Sequence, residues 1–109
     1  MAAKIKWSDK AVANLNHLYS FIAFDSEVYA KRFVKTLVRT TEVQLQRYPL
    51  IGRPVPEFQN TPLSFLREVI YKGYRIIYNP TLAEEITIVA VVSGRMDLPG
   101  MSKSDWEIE

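Results

Sequence analysis

Glu68 and Arg75 are the two side chains of this sequence most readily brought together to do chemistry. They flank Lys72-Gly73, a dipeptide suited to a two-residue turn. A hairpin folded there pairs Ile70 with Arg75 and Glu68 with Ile77, which sets all four on one face of the hairpin. A guanidinium in that position can neutralise an anion, a carboxylate can accept a proton, and Lys72 adds a cation at the turn. The same geometry allows Arg75 to be a surface arginine paired with Glu68, and both roles stand open. Arg67 falls on the opposite face, across from Tyr78 and among Phe65, Val69, Tyr71, Tyr74 and Ile76. An arginine among apolar groups needs acceptors, so Arg67 and Tyr78 read as structural anchors.

Other chemistries lack their residues. The single histidine, His17, shares a helical face with Asn14 and Asn16 and reads as solvated rather than as a base. One histidine, no cysteine and scattered carboxylates build no metal site. Gly52, Gly73, Gly94 and Gly100 are dispersed, so no glycine-rich loop cradles a phosphate. The expectation is a protein with no metal and no cofactor.

The apolar pattern supplies the scaffold. Lys4–Trp7 forms a short strand, after which the Ser8 hydroxyl caps a helix and Asp9 suits the positive end of its dipole. Val12, Leu15, Tyr19 and Ile22 recur at helical spacing, with Leu18 widening the stripe. Asp25-Ser26 breaks this helix and caps a second, whose stripe is Ala30, Phe33, Val34, Leu37, Val38, Leu45 and Tyr48. Pro49 ends it, because a residue before proline is pushed out of helical geometry. Residues 50–63 hold Gly52, Pro54, Pro56 and Pro62 and read as a loop. Strands at 65–71 and 74–79 follow, then a turn at 80–84 and a last strand, Glu85–Ser93. Both alternating sets of that last strand are largely apolar, which places it inside the sheet, with the first strand beside it.

The order β-α-α-β-β-β gives the α+β class: a helical hairpin packed on one face of a mostly antiparallel sheet of about four strands. Val12, Leu15, Ile22, Phe33, Leu37, Val69, Ile76, Ile88 and Val92 are the expected core.

With 109 residues, 48% of them apolar, the chain makes one domain over residues 1–98, followed by a short acidic tail, 99–109. The longest apolar run, Ile88 to Val92, is far short of a membrane span, and the opening MAAKIKWSDK lacks the apolar stretch of a signal peptide. A cytoplasmic, soluble protein is expected. The net charge of +2 is uneven: Asp97, Asp105, Glu107 and Glu109 face Lys103 alone, while residues 1–96 carry 13 basic and 8 acidic groups. A basic body suits an anionic partner, either nucleic acid or an acidic protein segment.

Three pieces, in order, carry a resemblance. They are Tyr48-Pro49-Leu50-Ile51-Gly52-Arg53, then Leu66-Arg67-Glu68-Val69 leading through Gly73 into Tyr74-Arg75-Ile76-Ile77-Tyr78, then Val91-Val92-Ser93-Gly94-Arg95-Met96-Asp97-Leu98. Over about residues 4–98 the sequence resembles the ParE-like, plasmid-stabilisation branch of the RelE/ParE toxin superfamily. The resemblance implies the toxin of a type II toxin–antitoxin system, neutralised by a cognate antitoxin. It implies one of two targets: DNA gyrase, inhibited by binding, or messenger RNA cut on the ribosome.

For RNA cutting the resemblance implies that Arg75, Arg95 and Glu68 are the catalytic candidates, because RNA-cutting relatives carry a phosphate-contacting arginine at the Tyr-Arg position. Arg75, Arg95 and Lys72 are equally the candidates for contact with a target or its phosphates. The third piece departs from a His-Gly-Arg-Arg-Asp-Leu pattern, with Ser93 for the histidine and Met96 for the second arginine. Both losses count against a nuclease, so gyrase binding without hydrolysis ranks first and ribosome-dependent cleavage second. A member that only binds partners and has lost toxicity fits the same two losses.

Overall fold

The computed structural model describes residues 3–82 and 84–94. Two side-chain caps set the helical hairpin. The Ser8 hydroxyl accepts from the Ala11 amide at 3.0 Å and opens α1 (Asp9–Ala23); Ser26 accepts from the Tyr29 amide at 3.1 Å and opens α2 (Glu27–Arg47). Each leaves an acidic residue in its first turn, Asp9 and Glu27, at the positive end of the helix dipole.

The sheet has five strands in the order β1-β5-β4-β3-β2. β1 (Lys4–Trp7) lies beside β5 (Glu85–Ser93), as the doubly apolar last strand predicts, and runs parallel to it, while the other pairings are antiparallel. β1 stops opposite Ile88, which leaves the next stretch of β5 without a strand on that side. Side chains of the α1 region satisfy it instead: Ser8 donates to the Val89 carbonyl at 3.0 Å, and Asn14 accepts from the Val91 amide at 3.0 Å.

The α+β class and the one-sided helical hairpin stand. One core lies between the helices and the sheet, where Ala11, Leu18, Phe33, Leu37 and Leu45 meet Val69, Ile76, Tyr78, Ile86, Ile88 and Val91. The expected core is corrected first at Val12, which is 44% exposed, while Ala11 is fully buried. The face of α1 that meets the sheet is Ala11, Leu15, Leu18 and Ile22, one residue round from the expected start, because alanine permits a close approach that β-branched Val12 would block. Leu15, Ile22 and Val92 are half-buried rather than fully enclosed.

Two further corrections concern the segments expected to be irregular. Residues 50–63 contain a two-residue edge strand, β2 (Arg53–Pro54), and a 3-10 turn, Pro56–Phe58, so the sheet has five strands instead of four. This segment covers the second face of the sheet: Val55, Phe58, Leu63 and Leu66 bury Ile77, Val89 and Ala90 in a separate small core. β4 (Tyr74–Leu82) runs through Pro80, where a turn was expected. Its register against β5 slips between Ile77 and Tyr78 and again between Asn79 and Leu82, and such irregularities are where a strand tolerates proline.

Gly52 marks the crossing from α2 to the second face. Its amide donates to the buried Tyr78 hydroxyl at 2.9 Å, and its carbonyl accepts from Arg67 at 2.6 Å. A Cβ there would lie 2.6 Å from the Glu68 carbonyl oxygen and 2.7 Å from the Tyr78 ring. We expect Tyr78→Phe, which strands a buried amide, to lose about 1–3 kcal/mol in urea unfolding at neutral pH. Gly52→Ala should lose at least as much, through the forced displacement. Burial raises the Tyr78 phenol above its ordinary value, outweighing the hydrogen bond from Gly52. A raised pKa means stability that is full below the ordinary phenol range and lost as pH climbs through the raised value. The parent should therefore weaken at alkaline pH more steeply than Tyr78→Phe.

Candidate functional site

The hairpin of β3 (Arg67–Tyr71) and β4 brings the sequence candidates to one place. Tyr71 pairs with Tyr74 across Lys72-Gly73, and both turn residues have positive φ, 44° and 86°, the geometry of a type I′ turn. Glu68 pairs with Ile77 and Ile70 with Arg75, so Glu68 and Arg75 share the face that the 53–66 segment covers.

There they meet in a chain of alternating charges. Glu68 is 1% exposed and Arg75 5%. Arg75 Nε donates to Glu68 Oε1 at 2.7 Å, while Nη1 and Nη2 donate to the two oxygens of Glu57, each at 2.6 Å. Arg53, the cross-strand partner of Glu68, places Nε and Nη2 on Glu68 Oε2, both at 2.7 Å. The bidentate bond that Arg75 donates to Glu57 raises the Arg75 pKa above its usual value against the opposing effect of burial, and Glu68 adds to the rise. Arg75 is therefore a permanent cation whose guanidinium edge is covered by two carboxylates. A phosphate reaching it would have to displace Glu57.

The other candidates are spread out. Lys72 is exposed at the turn, its Nζ 5.7 Å from the centre of the Tyr71 ring. Arg95 lies outside the described residues, as do Met96 and the acidic tail. Arg67 donates to the Gly52 carbonyl at 2.6 Å and the Leu50 carbonyl at 3.4 Å. Tyr78 is fully buried, and Tyr74 sits edge-on to Phe33 at 5.9 Å.

His17 is exposed and lines a groove of about 510 Å³ with Leu18, Phe21, Tyr74, Val91 and Ser93. That groove is on the helix side of the sheet, and the Arg75 cluster is on the other. His17 thus stands on the helix side, and no hydrogen bond or ion pair among the described residues joins it to the Arg75 cluster. Among the described residues no group of three or more His, Asp or Glu could hold a metal, and no helix is long and apolar enough to cross a membrane.

Arg53 and Glu57 were the missed members, and Glu57 left the weaker signal. It sits in a proline-punctuated loop with no periodicity to aim it, and its only sequence signal is an acid lying close to Arg53, Arg67 and Arg75 in a basic chain.

The family model of the ParE toxin of type II toxin–antitoxin systems, parDE, matches residues 5–98. The chain belongs to the ParE toxin family. No curated protein matches the sequence. Among solved structures this ParE-family chain is similar to a chain of the chromosomal ParDE system of P. aeruginosa, with a TM-score of 0.66 and 19% identity, covering 84% of this chain and 96% of the other. It is also similar to a chain of the toxin–antitoxin complex RelBE2 of Mycobacterium tuberculosis, with a TM-score of 0.64 and 18% identity over 85% of this chain and 92% of that one. A mutant of E. coli toxin RelE in the free state follows, with a TM-score of 0.54, 13% identity, and coverage of 87% and 86%. At these identities the likeness is one of fold, and it extends across both ParE and RelE proteins.

The charge chain makes a stability prediction. Arg75→Ala leaves Glu68 buried with only the exposed Arg53 beside it and should cost about 3–5 kcal/mol in urea unfolding. Arg53→Ala, whose side chain is 59% exposed, should cost under about 1 kcal/mol. Equal losses for the two would show that burial does not set the strength of these pairs.

Proposed function

We propose that this ParE-family toxin acts by binding and inhibiting DNA gyrase and is held inactive by a cognate antitoxin. The observation that carries the choice of binding over RNA cleavage is the closed Arg75 cluster. Cleavage by a 2′-hydroxyl needs a cation open to the phosphate, with an acid and a base on the same surface. Here the best-placed guanidinium is bonded to Glu57 and Glu68, and the one histidine is across the sheet. Ser93, where a histidine stands in many ParE-like sequences, is exposed and brings no acid or base that titrates near neutral pH.

An inhibitor that works by contact needs none of these groups; it needs a folded surface. Membership of the ParE family and the likeness to a chain of the P. aeruginosa ParDE system support a gyrase-directed toxin with an antitoxin partner. The RelE-like neighbours share the fold without selecting the chemistry. In this reading Arg67 and Tyr78 anchor the segment leaving α2, and the exposed Lys72 is available for a target.

The purified toxin should reduce DNA supercoiling by gyrase in proportion to its concentration and leave ribosome-bound messenger RNA intact. Adding the antitoxin should restore supercoiling. Cut messages from translating ribosomes, together with unaffected gyrase, would establish the nuclease instead. In that case Arg75→Ala should slow cutting by about 10²-fold or more.

A further inference from the structure

Four large apolar side chains crowd the end of α2 without cover: Val43 is 52% exposed, Tyr48 56%, Leu50 62% and Ile51 50%. They line two adjoining grooves, of about 640 and 480 Å³, that share Arg47, Tyr48 and Ile51 and so form one trough. An exposed patch of this kind on a small domain marks a place where something docks.

The chemistry of its edge says what. Arg32, Thr36, Arg39, Val43 and Arg47 fall at helical spacing along the outward face of α2, with Lys35 beside them, and all are exposed. Among the described residues Arg32, Lys35, Arg39 and Arg47 take part in no ion pair. The two acids of the helix face elsewhere: Glu42 accepts from the Trp7 indole at 2.9 Å, and Glu27 lies 3.4 Å from the Tyr19 hydroxyl. From Arg32 to Arg47 the stripe is roughly 22 Å long at a helix's rise per residue, the length of about four turns.

We propose that this face, from Arg32 to Ile51, is the docking surface for an acidic amphipathic segment of the antitoxin; the inference rests on the reading of the chain as an antitoxin-neutralised toxin. Such a segment seats its apolar edge in the trough and sets its carboxylates against the arginines. Nucleic acid fits less well. Phosphates would meet Arg32, Arg39 and Arg47, but Val43, Tyr48, Leu50 and Ile51 would stay in water.

The test uses the full chain and, as probe, the protein encoded by the small reading frame adjoining the toxin's, with a short DNA duplex as competitor. Arg39→Glu with Arg47→Glu, and separately Leu50→Glu with Ile51→Glu, should each weaken binding of that protein by about 10-fold or more. Only the arginine pair should also flatten the salt dependence of association. All substituted residues are exposed, so the free variants should melt with the parent. If a variant fails to fold, hydroxyl-radical footprinting of the parent complex decides, with Tyr48, Leu50 and Ile51 expected to be protected. Unchanged affinity in both variants, or no protection there, overturns the docking surface and leaves the antitoxin reading intact. No binding of the neighbouring protein to the parent overturns that reading and the inference with it. Binding of the duplex, lost on arginine reversal while the protein still binds, would make this a nucleic-acid face and overturn the proposal.

Discussion

The Glu68 carboxylate, buried on the loop-covered side of the sheet, accepts from Arg53 with one oxygen and from Arg75 with the other, and much of the chain is arranged to keep it paired. An unpaired carboxylate in that position would cost several kcal/mol. Arg53 reaches it only if β2 adds to the sheet edge, and Arg75 only if the hairpin holds its register. Arg75 in turn clamps Glu57, which fixes the 3-10 turn over the sheet and with it Val55, Phe58, Leu63 and Leu66. A segment with few backbone pairings of its own is thus held by charge at one point and by apolar contact around it.

This arrangement explains which parts of the molecule were legible in the sequence. The hairpin was, because Lys72-Gly73 has turn chemistry and the strand period of two leaves no freedom in which side chains share a face. The partnership of Glu68 with Arg75 was one of the two roles which that register left open, and the interior position of β5 followed from apolar residues on both of its faces. The other half of the cluster was not legible. Glu57 and Arg53 are aimed by a loop whose path depends on a core that forms only when the sheet exists, and a two-residue strand leaves no pattern. Val12 misled because a stripe defined by size places the largest residues inward, whereas the close crossing of α1 over the sheet selects the smallest, Ala11.

The sheet also divides the functional possibilities. On its loop side, charges are matched and buried; on its helix side, His17, Tyr74 and Ser93 border an open groove. Four cations in no ion pair among the described residues, Arg32, Lys35, Arg39 and Arg47, gather on neither face but on the outside of α2, next to uncovered apolar side chains. Charge is thus neutralised inside the fold in one place and left exposed in another. In the proposed function, contact is preferred to cleavage because the hairpin arginine, Arg75, is closed to a phosphate.

That closure can be observed directly at one atom. The Nη1–H resonance of Arg75, which donates to Glu57, followed by nuclear magnetic resonance while a short single-stranded RNA is added to the folded toxin, reports whether the guanidinium leaves Glu57 for a phosphate. The closed cluster predicts a resonance that stays in place and remains protected from exchange with water at saturating RNA. A saturable shift of that resonance, with loss of its protection, would contradict it and make Arg75 a phosphate-binding residue.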